Sequence, residues 1–362
     1  MGCIRLVLAL VVVAFHMGAF PGYLGMDGGA AVRFFFMISG FYMAMILNEK
    51  YVGRTGEQYR AFLKSRFLRI YPLYFLILAL SLLASLGIGR HSLAGDLLYI
   101  PNYTDRGILG LPAWLAFTAA NLGLVGISIL SFYAYVGPGG GLHWAGDVYS
   151  MPNPGFRFFP VPQAWSLDLE IVFYCLAPLF IRDTRKVLVL AALSFGVNAL
   201  FWLHVFGERT LYDLFPAQLW IFCLGALAYT RYRKIAAAPP RRPLMVAALA
   251  GVLALAAFYQ LFPGVTGDLF CLGVMFLCLP YVFRLTKRVR WDRAIGELSY
   301  PVYLCHFLVL SVLEALTGAP VAGAMKLAAL ALVLGLSTLL YLAVARPLDA
   351  FRHRLAPGVA AG

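Results

Sequence analysis

Charge is scarce in this 362-residue chain: Asp, Glu, Lys and Arg make up 12% of it, against 62% hydrophobic residues. Soluble domains carry roughly a quarter charged residues, so this composition, with a mean hydropathy of +0.82, excludes a water-soluble globular fold and indicates a polytopic membrane protein. Acidic residues are scarcer still, 16 against 29 basic ones, for a net charge of +13. In a membrane chain such an excess marks cytoplasmic loops, so nucleic acid is not the partner it implies. Cysteine is limited to Cys3, Cys175, Cys223, Cys271, Cys278 and Cys305, with no CxxC pair. That pattern excludes a disulfide framework and a zinc site, and no metal centre is expected. No A-x-A cleavage site follows the first apolar run, so the run is expected to be retained as a helix rather than removed as a signal peptide. Neither a fixed-period repeat nor the inverted pair of broken segments common in transporters is visible.

Apolar runs long enough to cross a bilayer of about 30 Å lie near residues 5–24, 33–48, 70–88, 166–181, 187–205, 213–230, 244–262, 267–284, 297–316 and 322–345. Between them, NEKYVGRTGEQYRAFLKSRFLR, RDTRK, RYRKIAAAPPRR, RLTKRVRWDR and RPLDAFRHRL hold, with Arg5, 23 of the 29 Lys and Arg residues. The positive-inside rule places all of these on the cytoplasmic side. Keeping both RDTRK and the loop before residue 70 inside requires an even number of crossings between them. The long run 109–136 is therefore not a single crossing. It is expected to be re-entrant, interfacial or a tight pair of short spans, interrupted at Pro112, Gly123 and Gly126. The expected fold class is an all-α membrane helix bundle of about ten transmembrane helices with both termini cytoplasmic. Residues 1–349 form the membrane domain and 350–362 a short tail. Parity puts the Gly- and Pro-rich stretch 137–163 on the outer side, where an acceptor would approach.

Arg5 and His16 are eleven residues apart, three helical turns plus about 20°, with an axial separation near 16 Å. They share one helix face, the arginine at the cytoplasmic mouth and the histidine about halfway through. A ligand touching both is long, thin and polar at its inner end. An acyl-CoA fits, with phosphates for the guanidinium and a thioester near an imidazole able to act as general base on an acceptor hydroxyl. The plain alternative is that His16 hydrogen-bonds a neighbouring helix. In Phe35–Phe41 the Ser39-Gly40 pair interrupts aromatic bulk, which suits close helix packing better than direct catalysis. Arg66 and Arg69 lie three apart at the cytoplasmic end of the third span, suited to lipid headgroups or to CoA phosphates. In Trp165–Tyr174, Ser166, Glu170 and Tyr174 share a face while Asp168 points elsewhere; Glu170 suits either an arginine partner or an acceptor site. Ser299, Tyr303 and His306 line one face of a later span.

Together these segments resemble the acyltransferase type 3 family of integral membrane proteins: R-x10-H (Arg5, His16), FFxxSGF (Phe35 to Phe41), RxxRIYP (Arg66 to Pro72), WSLxxExxFY (Trp165 to Tyr174) and SYxxYLxH (Ser299 to His306) occur in the family's order. The resemblance implies transfer of an acyl group, most often acetyl from acetyl-CoA, to a hydroxyl of a glycan or glycolipid. It implies His16 as the essential catalytic residue, the paired arginines serving the donor, no permanently bound cofactor, and a place in the bacterial cytoplasmic membrane. Two departures stand out. Ala345 precedes Arg346-Pro347 where the family often has Glu, and Arg33 stands where relatives often have an acidic or polar residue, which is expected to alter outer-surface charge. Many relatives carry a fused extracytoplasmic hydrolase-like domain. Without one, the chain is expected to acylate its acceptor directly or to pass the acyl group to a separate partner protein. The competing expectation, from a different class, is a transporter or flippase of a glycan or lipid intermediate.

Overall fold

The computed structural model describes residues 1–18, 23–53, 55–88, 108–203 and 214–354. Parts of the expected runs at 19–22, 204–205 and 213, and the tail from 355 onward, lie outside these residues. Each apolar run becomes helical, because a backbone in lipid must satisfy its polar groups within the segment. The helices are α1 (Gly2–His16), α2 (Gly28–Glu49), α3 (Gly56–Ile88), α4 (Leu111–Gly123), α5 (Ile127–Tyr133), α6 (Trp165–Phe180), α7 (Thr184–Trp202), α8 (Phe215–Ala237), α9 (Arg242–Phe258), α10 (Gly264–Thr286), α11 (Arg290–Gly296), α12 (Ser299–Thr317), α13 (Met325–Leu340) and α14 (Arg346–Arg354). A short antiparallel hairpin, β1 (Ala134–Val136) with β2 (Leu142–Trp144), follows α5.

Among the described residues, seven helices are long and apolar enough to cross a membrane, and together they contain α2, α3, α7, α9, α10, α12 and α13. The other three expected runs give α1, α6 and α8, which are shorter or more polar. These are interior helices. α8 buries Gln218, Tyr229 and Tyr232, and α6 buries Asp168 and Ser166. A helix surrounded by protein need not present an apolar surface to lipid on every side. By contrast, α7 and α13 leave most of their residues unburied.

Helix α2 is the axis of the bundle, and it approaches α8 at backbone distance. A Cβ on Gly40 would lie 1.9 Å from the Phe222 carbonyl oxygen, and one on Gly225 would lie 2.0 Å from that of Met37. The small residue that the Ser39-Gly40 pair offers to packing is thus the glycine, which frees Ser39 for another task.

Three expectations are corrected. The run 5–24 is not one helix centred on the bilayer: α1 ends at His16, with Gly18 at φ 72, so His16 closes a 15-residue helix instead of standing halfway along a full span. Pro112 does not interrupt the segment 109–136. It sits in the first turn of α4, where its missing N–H costs nothing, and the break falls later, at Leu124 (φ 51) and Gly126 (φ 82). Arg33 is not a surface charge, since its guanidinium pairs with Asp268 at 2.8 Å with a side chain only 13% exposed. A cation withdrawn from water requires such a partner.

Buried carboxylates and guanidiniums also join distant elements. Asp168 on α6 accepts from the Ser128 N–H at 3.0 Å and from its hydroxyl at 2.8 Å, capping α5. Asp292 on α11 accepts from Gly2 N and Cys3 N, both at 2.8 Å, and so caps α1 across the length of the chain. Arg182, in the RDTRK loop, donates to the carbonyls of Leu47, Tyr51 and Gly53 and ties down the end of α2. The stretch 137–163 is ordered: Phe158 and Phe159 are buried, and Gln163 donates to the Leu304 carbonyl at 2.6 Å. All six cysteines are free thiols within helices.

Because the atoms facing Gly40 and Gly225 are backbone, an added methyl can be accommodated only by parting two helices. Gly40→Ala or Gly225→Ala is expected to cost about 1–3 kcal/mol. Gly196→Ala on α7, where a Cβ meets nothing within 4 Å, is expected to leave thermal unfolding in detergent unchanged. Equal melting points for all three variants would refute the close-contact account.

Candidate functional site

The third span's basic end, the start of α1 and the α11–α12 turn converge on a cavity of about 430 Å³, within the range of small-molecule sites. Its lining includes Arg5, Arg66, Arg69, Lys287 and Arg293. Helical spacing brings Arg66 and Arg69 to one face of α3, and α1 contributes Arg5 from its first turn. Arg5 Nη1 lies 3.9 Å from Glu297 Oε1, and Arg69 Nη2 lies 3.7 Å from Glu297 Oε2. One carboxylate is thus shared between two guanidiniums, while Arg66 is only 6% exposed. Cations gathered this closely away from water are stabilised by an arriving anion, and arginine suits phosphate in particular.

Further in, the same cavity meets Ser39, Ser166, Glu170, Tyr174, Ser299 and Tyr303. Ser39 Oγ donates to Glu170 Oε1 at 2.6 Å, and the Tyr174 hydroxyl donates to the same oxygen. The hydrogen-bond partners of Glu170 among the described residues are therefore a pair of hydroxyls. Tyr303 donates to the Gln163 carbonyl at 2.9 Å, which leaves its oxygen to accept from Ser166 Oγ at 2.6 Å. Ser299 Oγ donates to the Gly296 carbonyl at 2.7 Å and closes the α11–α12 turn.

The two histidines stand apart from this lining. His306, one turn beyond Tyr303 on α12, is fully buried, and His16 is exposed at the end of α1. Their ring centroids are 5.1 Å apart, and Phe307 packs on both at 4.5 and 4.7 Å. Tyr303 separates the pair from the cavity, its ring 6.0 Å from His306 and 6.3 Å from Phe35. His16 Nδ1 lies 2.9 Å from the Val12 carbonyl, and His306 Nδ1 lies 2.7 Å from that of Tyr303. A carbonyl oxygen only accepts, so Nδ1 carries the proton on each neutral ring and Nε2 carries the lone pair. That is the tautomer a general base requires at Nε2.

The structure thus brings nine of the sequence-derived residues to one cavity, sets His16 and His306 together one turn beyond it, and leaves Trp165 out. Trp165 packs edge-on against Phe36 and Phe132, at 6.4 and 5.6 Å. Sequence reasoning misses Glu297, Lys287 and Arg293. The available signal for Glu297 was an isolated acid beside a basic loop and immediately before a motif. Among the described residues, no group of three or more His, Cys, Asp or Glu side chains is arranged to hold a metal ion.

Comparison with known proteins gives a consistent picture. The family model described as an acyltransferase domain matches residues 1–346. The chain is 28% identical over 358 residues to a protein named putative membrane-bound transacylase BcsY from Komagataeibacter xylinus, covering 94% of this chain and 80% of that protein. It is 23% identical over 351 residues to the peptidoglycan O-acetyltransferase OatA of Listeria monocytogenes, covering 85% of this chain but 49% of the relative. It is 27% identical over 302 residues to nodulation protein 10 of Rhizobium leguminosarum bv. viciae, covering 79% and 72% respectively. No solved structure matches the chain.

If the cavity mouth is an anion site, Glu297 competes with the ligand for Arg5 and Arg69. Arg66→Ala is expected to weaken pyrophosphate binding, measured by calorimetry in detergent, about tenfold or more, the scale of a lost charge-assisted contact. Glu297→Gln is expected to tighten it. Tightening in neither and loss in neither would remove the anion assignment.

Proposed function

The chain belongs to this acyltransferase family and is an integral membrane acyltransferase, and we propose that it moves an acyl group, acetyl first, from cytoplasmic acyl-CoA to a hydroxyl of a glycan or glycolipid. In this reading ten helices cross the bilayer, both termini face the cytoplasm, and the membrane is the bacterial cytoplasmic one. The observation that carries the proposal is the arrangement along α1 and α12: an arginine cavity at one end, and one helical turn past its inner limit a histidine with a bare Nε2, exposed toward the other end.

Arg5, Arg66 and Arg69 hold the donor's phosphates. The pantetheine arm, long and thin, runs past Tyr303 toward His16, the direction in which the axial gap of about 16 Å extends. His16 Nε2 takes the proton of the acceptor hydroxyl as the oxygen attacks the thioester carbon. The C–S bond breaks, and the proton passes to the departing thiolate, giving an ester and free CoA. Glu170, with Ser39 and Tyr174 donating to it, is assigned to the catalytic apparatus as a fixed negative group that orients the donor's acyl end. The acceptor comes from the side of residues 137–163, either the glycan itself or a separate extracytoplasmic protein that carries the acyl group onward. The peptidoglycan O-acetyltransferase name of one relative supports a cell-surface glycan as the class of acceptor.

In nanodiscs with radiolabelled acetyl-CoA and a membrane glycolipid extract, His16→Ala is expected to lower kcat by about 10²–10⁴, the usual contribution of a general base, with an unchanged KM for acetyl-CoA. Arg66→Ala is expected to raise that KM with kcat largely retained. Full activity of a folded His16→Ala variant would overturn the reading. Movement of glycolipid without consumption of thioester would point to a transporter instead.

A further inference from the structure

The function just proposed uses one imidazole, but the structure supplies two. His306 is fully buried, its Nδ1–H is committed to the Tyr303 carbonyl, and among the described residues its Nε2 has no hydrogen-bond partner. A buried acceptor left without a donor carries a desolvation penalty of about 1–3 kcal/mol. It is tolerated in a packed interior where a donor arrives during function. The ring set against it is His16, at 5.1 Å between centroids, a separation that a single proton spans directly or through one water.

We infer that His16 and His306 form a one-proton pair, in which His306 accepts the proton that His16 takes from the acceptor hydroxyl and holds it until the thiolate leaves. While both rings are neutral, neither can donate to the other, because each has spent its only N–H on a carbonyl. Once His16 Nε2 takes up the substrate proton, it becomes a donor and the bare Nε2 of His306 is its acceptor. No proton is created or lost: it passes from hydroxyl to imidazole pair to thiolate, as the C–O bond forms and the C–S bond breaks. His306 touches neither the acceptor nor the acyl donor; it acts through His16 and is a positioning residue.

The surroundings favour one proton and oppose a second. On its own helix His306 faces Tyr303, from α1 it faces His16, and α13 offers Ser337 against neighbouring Cys305. The nearby cation is Lys326 of α13, which donates to the Gly18 carbonyl at 2.5 Å, two residues beyond His16. With no carboxylate among these neighbours, a second positive charge on the pair would have nothing to balance it.

The inference rests on His16 being the base, and it is tested by a measurement that does not depend on that assignment. In protein labelled with ¹⁵N-histidine and purified in detergent, the Nε2 resonances of His16 and His306 are expected to move together on acidification, with one proton taken up per pair. His306→Asn, whose amide keeps a donor for the Tyr303 carbonyl but places no acceptor at Nε2, is expected to lower kcat for acetyl transfer about tenfold with KM for acetyl-CoA unchanged. In the same variant His16 should titrate alone. Independent titration of the two rings in the wild type, or unaltered kcat in a folded His306→Asn variant, would overturn the pair. Full activity of His16→Ala would overturn the proposed function, while the coupled resonances would still decide whether the proton is shared.

Discussion

The pairing of α1 with α12 is the contact on which the site depends. At its lower end Arg5 meets Glu297, just before α12, and at its upper end His16 meets His306. The eleven positions from Arg5 to His16 rise about 16 Å along α1, and the nine from Glu297 through the start of α12 to His306 cover a similar stretch beside it. The pairing therefore fixes the distance between the positive cavity and the imidazoles, with the α11–α12 turn held closed by Ser299. Asp292 holds α1 in register by capping its first turn. A slip of α1 against α12 would move both ends of the site at once.

Much of this arrangement is legible in the sequence. Hydropathy runs reveal the long helices, since lipid leaves the backbone no alternative to internal hydrogen bonds, while α11 and α14 lie in stretches that read as basic loops. The eleven-residue spacing of Arg5 and His16 and the i, i+4, i+7 pattern of Ser299, Tyr303 and His306 assign faces that the structure repeats. What stays hidden depends on tertiary partners. The end of α1 at His16 is masked because apolar residues continue to Leu24 across a left-handed glycine. Arg33 looks like an outer-surface charge because its partner Asp268 lies 235 positions away in the chain. Ser39 and Gly40 look like one packing motif, yet only Gly40 meets a neighbouring backbone, while Ser39 turns to Glu170. Glu297 gives no sign in sequence that it serves two arginines from different helices.

The distribution of charge follows one rule throughout. The buried carboxylates Asp168 and Asp292 each accept from the start of a distant helix, α5 and α1, and the half-buried Glu170 accepts from Ser39 of α2 as well as from Tyr174 of its own helix. These bonds bring specificity of assembly in a medium where apolar side chains gain little from choosing one helix over another. The cavity is the exception. There Glu297 is shared between Arg5 and Arg69, and Arg66, Lys287 and Arg293 line the same space, so basic side chains outnumber the carboxylates of Glu170, Asp292 and Glu297.

Asp168 and Glu170 stand two residues apart on α6, about 200° around its axis. One side chain grips the first turn of α5, beside the ordered stretch 137–163, and the other reaches into the cavity. Helix α6 therefore behaves as a short stiff axle between the stretch 137–163 and the floor of the cavity. A rotation imposed at one face appears at the other within a single turn, with no slack between them. The stretch 137–163 and the cavity floor thus rest on a shared mechanical part, so that stretch cannot be exchanged for a relative's while the cavity is kept unless the Ser128 hydroxyl and N–H that anchor Asp168 are carried with it.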